Sequence, residues 1–240
     1  SYNMSSKETI YTRRMKLADI LASDNNILSI LQRLEIKLGF GEATVSDICS
    51  RYGISENLFL IICNIYSFRD YHPEVGSLNE EDIIKIVDYL RVSHRFYTNI
   101  YFPVIHEKIH RLVAGLDEVS RRLIDKFYDD YDSEVNKHFV YEEEVVYPYI
   151  DSLLNNCVTD EMKYNIKQFE SNHSNINEKL NDLKNIIAKY LGEEYSTTLR
   201  FELLNDIYII ESDLRRHSLI ENKLLIPLVE KLEKNHEQGA

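Results

Sequence analysis

Cysteine is scarce in this chain. Its three residues, Cys49, Cys63 and Cys157, are isolated and odd in number, which argues against a disulfide framework and fits a reducing cytoplasm. Glycine and proline are scarce as well, 7 and 4 among 240 residues, too few for the frequent turns of an all-β protein. No apolar stretch is long and charge-free enough to span a bilayer, and no signal peptide is expected. Basic residues are outnumbered, 28 Lys and Arg against 40 Asp and Glu, for a formal net charge of −12. Such a field repels phosphate backbones and anionic membranes, so neither nucleic acid nor a membrane is expected as a partner. It does suit a protein that handles cations or meets a basic partner.

What is present is ordinary in bulk and unusual in pattern. Hydrophobic residues make up 44% and charged residues 28%, as in globular proteins generally. The length suits one large domain, or a small one and a medium one. Short helical patterns cover Met15–Ala22, Asn26–Leu38, Val45–Tyr52 and Glu56–Ser67. Asp24 and Ser55 are expected N-caps, and Gly39, Gly41 and Gly53 expected stops. Tyr71–Asn79 reads as a linker. Four long helical segments are predicted beyond it: from Glu80 with Ser77 as its cap, from about Leu116 to Leu154, from Thr159 to Tyr190, and from Ser196 to Lys234. Connections this short make neighbours antiparallel. The expectation is all-α: a small helical N-terminal domain over residues 1–75, then an up-down-up-down four-helix bundle over 76–240.

The bundle carries one constellation written twice. His94, His138 and Glu142 are followed, each at an offset of 79 residues, by His173, His217 and Glu221. In each copy a lone histidine precedes a His-x-x-x-Glu unit by 44 residues, and a proline follows the glutamate by six, at Pro148 and Pro227. Residues four apart share a helix face, so each unit can aim an imidazole and a carboxylate at one point. Copied structure alone would also repeat bland residues; here the neighbours have diverged and the polar set has not. Four nitrogens and two carboxylates describe a dinuclear metal site.

The donor types point to iron. Imidazole suits zinc, copper, nickel and iron, and carboxylates favour harder ions. Structural zinc takes four ligands, often thiolates, and no cysteine here has ligand spacing. Six ligands with two bridging carboxylates can hold two ions and leave a position for a diatomic molecule. The Glu-x-x-His signature of ferritin-like sites occurs only once, at Glu170–His173. Glu134 and Asp213, one turn before His138 and His217 and again 79 residues apart, could accept the second imidazole N–H. Tyr97, Tyr141 and Tyr147 sit near the ligand turns. His106 and His110 fall about 18 Å or more along a straight helix from His94 unless Pro103 reverses the chain. His72 and His236, in linker and tail, are not candidates.

These residues resemble the hemerythrin-like (HHE cation-binding) family, and within it the Repair of Iron Centers proteins. The resemblance covers about residues 79–234, and the ligand order His94, His138, Glu142, His173, His217, Glu221 carries it. It implies two carboxylate-bridged iron ions, compatible with an oxo bridge, that meet O2 or NO, with iron–sulfur proteins as partners. The implied role is repair or metallation of iron–sulfur centres under nitrosative or oxidative stress. A hemerythrin-like sensor or carrier of O2 or NO is the alternative, and NO reductase or peroxidase chemistry a third reading.

The N-terminal block follows the family's small domain weakly, through Lys16–Leu21, Thr44–Cys49 and Tyr52–Ile54. It departs where adjacent cysteines are usual, having Gly39-Phe40 there, which puts thiol-based transfer in doubt. A further histidine that some members carry late in the first bundle helix has no match. Read instead as a helix-turn-helix, Thr44–Tyr66 would present Glu56–Ile62 as its recognition helix. That helix has no Lys or Arg for phosphate or guanine contacts, so DNA binding is discounted.

Overall fold

The computed structural model describes residues 10–158, 163–171 and 175–239. Among these the fold is all-α, as expected, with no strand and one isolated antiparallel bridge, Lys16 to Thr44. Two compact units emerge: Ser1–Tyr89 with Leu219–Leu228, and Leu90–Ser218 with Val229–Ala240.

The first unit contains four short helices, α1 (Leu17–Ser23), α2 (Ile27–Arg33), α3 (Val45–Tyr52) and α4 (Glu56–Ser67). Helices this short are marginal alone and depend on packing. Leu17, Ile20, Ile27, Ile30, Ile48 and Phe59 supply it, all fully or almost fully buried. Local signals set the ends. Thr44 and Asp47 form a reciprocal capping box, with bonds of 3.1 and 3.0 Å. Ser55 caps α4 through the Leu58 N–H, and Gly53 ends α3 in the left-handed conformation at φ 64°.

Three expectations change here. Helix α2 stops at Arg33 rather than Leu38, because Glu35 takes φ 58°, which no helix continues through. Asp24 does not cap α2. It closes the preceding turn by accepting from the Asn26 N–H at 3.0 Å, and also accepts from the Ser67 hydroxyl at 2.8 Å. The helix α5 (Glu80–Phe96) is capped by Asn79 and Asp82 reciprocally, not by Ser77, which lies in a 3-10 turn.

The long segments follow in up-down-up-down order. Helix α5 runs through a π-turn, Tyr97–Tyr101, into α6 (Phe102–Ala114). Helix α7 (Glu118–Tyr141) runs through Glu142–Val146 into α8 (Tyr147–Leu154). Next come α9 (Ile166–Ser171) and α10 (Asn175–Asn185), the latter ending in a π-turn, Ile186–Tyr190. Helix α11 (Thr198–Ile220) runs through Glu221–Leu225 into α12 (Ile226–Gln238). The third segment starts later than predicted: Lys163–Asn165 are not helical, and Thr159–Met162 lie outside the described residues.

Within the second unit, stripes at helical spacing build the core: Ile124, Tyr128, Tyr131 and Val135 from α7, and Leu203, Ile207, Ile210 and Leu214 from α11. Burying each such side chain contributes about 1.5–3 kcal/mol. Arg200 closes the turn before α11, donating to the carbonyls of Ile187, Leu191 and Gly192 at 2.7–3.0 Å. Those are carbonyls at a helix end, which helical bonding leaves unsatisfied.

Among the described residues, three of the four π-turns share a cause written in the sequence. They begin at Tyr97, Glu142 and Glu221, and a proline follows each by six residues, at Pro103, Pro148 and Pro227. A proline ring inside a helix collides with the carbonyl four residues back. Widening the preceding turn relieves that collision. The residue before each proline then donates to the carbonyl five back: Phe102 to Tyr97, Tyr147 to Glu142, Ile226 to Glu221. Pro103 therefore widens the helix without reversing the chain.

Candidate metal centre

Glu142 opens its π-turn fully buried, and imidazoles surround it. His94, from the last turn of α5, brings Nε2 to 3.4 Å from Glu142 Oε2. His217, from the last turn of α11, brings Nε2 to 3.7 Å from the same oxygen. His138, one turn before Glu142 on α7, meets Oε1 through its own Nε2. The carboxylate thus presents one oxygen to His94 and His217 and the other to His138. Ligand atoms of His94, Glu142 and His217 all lie within 4.8 Å of one another.

Electrostatics follow from burial and from those neighbours. Burial alone would raise the Glu142 carboxyl, but the imidazoles of His138, His217 and His94 hold it well below the usual carboxylate range. Burial alone would lower His94, yet its contacts with Glu142 and Glu143 outweigh it and the ring is shifted up. Among the described residues His94 Nε2 is buried with no hydrogen-bond partner, since its 3.4 Å approach to Glu142 does not form one. An uncompensated buried nitrogen facing a buried carboxylate is costly as it stands and is satisfied by a shared cation. With two imidazoles and one carboxylate, this donor set fits a divalent transition metal such as iron.

Around the ligand set lies a layer of polar and aromatic partners. Tyr147 donates to Glu142 Oε2 at 2.6 Å. Glu143 Oε1 lies 2.9 Å from His94 Nδ1, which directs the other ring nitrogen toward Glu142. Phe139 stacks on His94 at 4.3 Å between ring centres, and Tyr97 meets the His217 ring edge-on at 5.7 Å. Tyr97 also donates to Asp213 Oδ1 at 3.1 Å. A small cavity lined by His138, Phe139, Ile176, Asn177, Leu214, His217 and Ser218 adjoins these residues.

The structure therefore brings His94, His138, Glu142 and His217 together. Glu221 is fully buried and opens the last of the π-turns, one turn beyond His217 in sequence, and belongs to the other compact unit. His173 lies outside the described residues. Of the expected outer partners, Asp213 is buried and bonded by Tyr97, while Glu134 is half-buried. Tyr147 takes a hydrogen-bonding role, and Tyr141 instead pairs with Tyr164 at 2.6 Å. Glu143 was not singled out in the sequence, because position 222 of the second copy is asparagine and the repeat gives no sign of it.

The remaining histidines stay apart. His106 Nδ1 bonds the Tyr128 hydroxyl at 3.2 Å, and His236 Nε2 reaches the Leu153 carbonyl at 2.8 Å. His72 and His110 are exposed. Among the described residues no helix is long and apolar enough to cross a membrane.

No curated protein matches the chain. The profile of the Hemerythrin HHE cation binding domain matches residues 86–229, more than half of its length and spanning all six repeated residues. The family binds metal ions, typically iron, and the clustered histidines and glutamate fit a metal site. The chain belongs to the hemerythrin HHE cation-binding family.

Proposed function

We propose that the protein holds two iron ions through His94, His138, Glu142, His173, His217 and Glu221, and supports repair or metallation of iron–sulfur centres under nitrosative or oxidative stress. The observation that carries this reading is the buried Glu142 ringed by three imidazoles, in a chain that writes the same ligand set twice. When bound, such an iron pair supplies redox chemistry and an open position for O2 or NO. The chain's own residues do the rest. Glu142 offers one oxygen to each side, Tyr147 fixes the plane of that carboxylate, and Phe139 and Tyr97 wall the histidines from water. Repair of iron–sulfur centres rests on the resemblance to the Repair of Iron Centers proteins, and three free cysteines fit a reducing compartment such as the cytoplasm.

A second reading, an O2- or NO-binding sensor or carrier, is favoured by the cavity beside His138 and His217, whose size suits a small ligand. One experiment separates the two. Anaerobically purified, iron-loaded protein is titrated with NO and with O2, then mixed with an apo-cluster acceptor. Iron delivery that restores the acceptor's cluster supports repair. A reversible gas adduct without delivery supports the carrier, and formation of N2O would point to a reductase instead.

A further inference from the structure

Helix α11 is apolar on two sides. Leu203, Ile207, Ile210 and Leu214 face the core of the second unit. The flanks are clamped by neighbouring helices, Asp206 by Lys108 and Glu211 by Lys184, each at 2.5 Å. Between those flanks, opposite the core stripe, Phe201, Tyr208 and Ile209 are 69, 51 and 55% exposed. Three large apolar side chains gathered on one helix face are not the scattered exposure that any surface shows. Lys184 sits over the Tyr208 ring, 4.8 Å from its centre, steadying the ring while half of the residue stays exposed. The polar residues of this face fall at heptad spacing from the apolar ones. Glu202 lies seven residues before Ile209 and Arg216 seven after, while Phe201 and Arg215 stand seven to either side of Tyr208. Seven residues are close to two turns, so each trio forms a row along the helix. Arg216 donates to Ser212 Oγ at 2.6 Å, which lays its guanidinium along this outer face.

We propose that this face of α11 is the contact between two copies of the chain, packed antiparallel about a two-fold axis that passes between Tyr208 and Ile209. A two-fold contact sets one patch against itself, so each row must complement its own reverse. Both rows do. Turned end for end, the first row brings Glu202 against the partner's Arg216, Arg216 against the partner's Glu202, and Ile209 onto its own copy. The second row brings Phe201 under the partner's Arg215 and Tyr208 onto its own copy. A parallel pairing would set Glu202 on Glu202 and Arg216 on Arg216, like charge on like, and is rejected by it. An anionic lipid surface is a poor occupant for a chain of net charge −12. The apolar middle supplies the affinity, and the charged ends fix the register. A single helix pair buries less than about 1,200 Å², so the dimer should dissociate at about micromolar concentration.

The test is sedimentation velocity of the full chain over a concentration series, with far-ultraviolet dichroism to confirm the helical fold of each variant. The native protein should pass from monomer to dimer at about micromolar concentration. Tyr208→Ser and Ile209→Ser, each present twice in the dimer, should weaken association by more than about 10-fold while the helical signal holds. Glu202→Arg and Arg216→Glu should each weaken it by about 3–30-fold, and both together in one chain should restore it, because the reversed pair is again opposite in sign. A native chain that stays monomeric at every concentration would overturn the proposal, and its binding to phosphatidylcholine vesicles would give the patch to a lipid surface instead. A dimer indifferent to Tyr208→Ser and Ile209→Ser, or a double reversal no tighter than the single ones, would overturn it too. Should Arg216→Glu not fold, Phe201→Ala and Arg215→Ala carry the register test. Their double variant should lose no more than the weaker single variant, since the two side chains share one contact, and additive losses would contradict the pairing.

Discussion

At Glu142 and at Glu221 the chain performs the same manoeuvre: a histidine four residues earlier, a π-turn opening on the glutamate, a proline six residues on. The surroundings differ. After Glu142 come Glu143 and Tyr147, which bond His94 and Glu142 itself. After Glu221 comes Lys223, whose ammonium donates to the carbonyls of Arg69 and Tyr71 at 3.4 and 3.0 Å, and then Leu224 and Leu225, both fully buried. The lesson is a division of labour within a duplication. The His-x-x-x-Glu spacing and the wide turn that opens on the glutamate are held in common. The neighbouring positions make separate contacts: Glu143 and Tyr147 bond His94 and Glu142 in one copy, and Lys223 bonds the carbonyls of Arg69 and Tyr71 in the other.

The harshest way to probe what the copies share is to remove the carboxylates. Glu142→Ala or Glu221→Ala should cost at least one of the two ions per chain, since a bridging carboxylate serves and neutralises both. His106→Ala and His110→Ala should keep full loading, with His106→Ala losing about 1 kcal/mol of stability with its bond to Tyr128. Metal content after desalting is the measurement, and equal loss in all four variants would refute the assignment of bridges. The shared backbone is probed next. Pro148→Ala and Pro227→Ala remove the ring that forces the wide turn, so each glutamate is free to rotate off its face. Both should weaken iron binding while the far-ultraviolet helical signal holds. Unchanged affinity in both would show that the prolines do not set ligand direction.

Much of this was legible in the sequence because metal chemistry tolerates few residue types at a fixed spacing. The offset of 79 residues and the His-x-x-x-Glu units locate Glu142 and its imidazoles without any coordinates. Other features were not legible, each for a physical reason. The six-residue step from glutamate to proline was visible, but a one-residue widening of a helix leaves no mark in an apolar stripe. Glu143 is not repeated, so symmetry could not reveal it, and only its 2.9 Å approach to His94 does. Helix α2 ends early because Glu35 adopts a left-handed conformation that its side chain does not announce. Ser77 looked like a cap by type, while the reciprocal pair Asn79 and Asp82 takes that role two residues on.

Smaller effects sharpen the contrast between the metal-bearing unit and the N-terminal helices. Cys49 and Cys63 are buried, and burial pushes the Cys49 thiol up to about 12 and Cys63 well above its usual value, so neither is a ready nucleophile. The double variant Cys49→Ala, Cys63→Ala should lose about 1 kcal/mol per site and retain iron binding and delivery. A folded variant that keeps its iron but cannot deliver it would establish a thiol relay. The mildest change concerns the α3 cap. Backbone and side-chain hydrogen bonds from Thr44 hold the Asp47 carboxyl below its ordinary value. A depressed acid contributes stability above its unfolded value, about 3.9, and loses it as the pH falls through the lower folded value. Thermal melts should therefore show native protein above Asp47→Asn at neutral pH, with the gap closing in acid. A gap that widens in acid would contradict the capping role.

The repeated set of four histidines and two glutamates is expected to hold two iron ions. Elemental analysis after anaerobic iron reconstitution and removal of loose metal tests it directly. About two iron atoms per chain are expected, the number two bridging carboxylates and four imidazoles can hold. One tightly bound zinc with no iron uptake would contradict it.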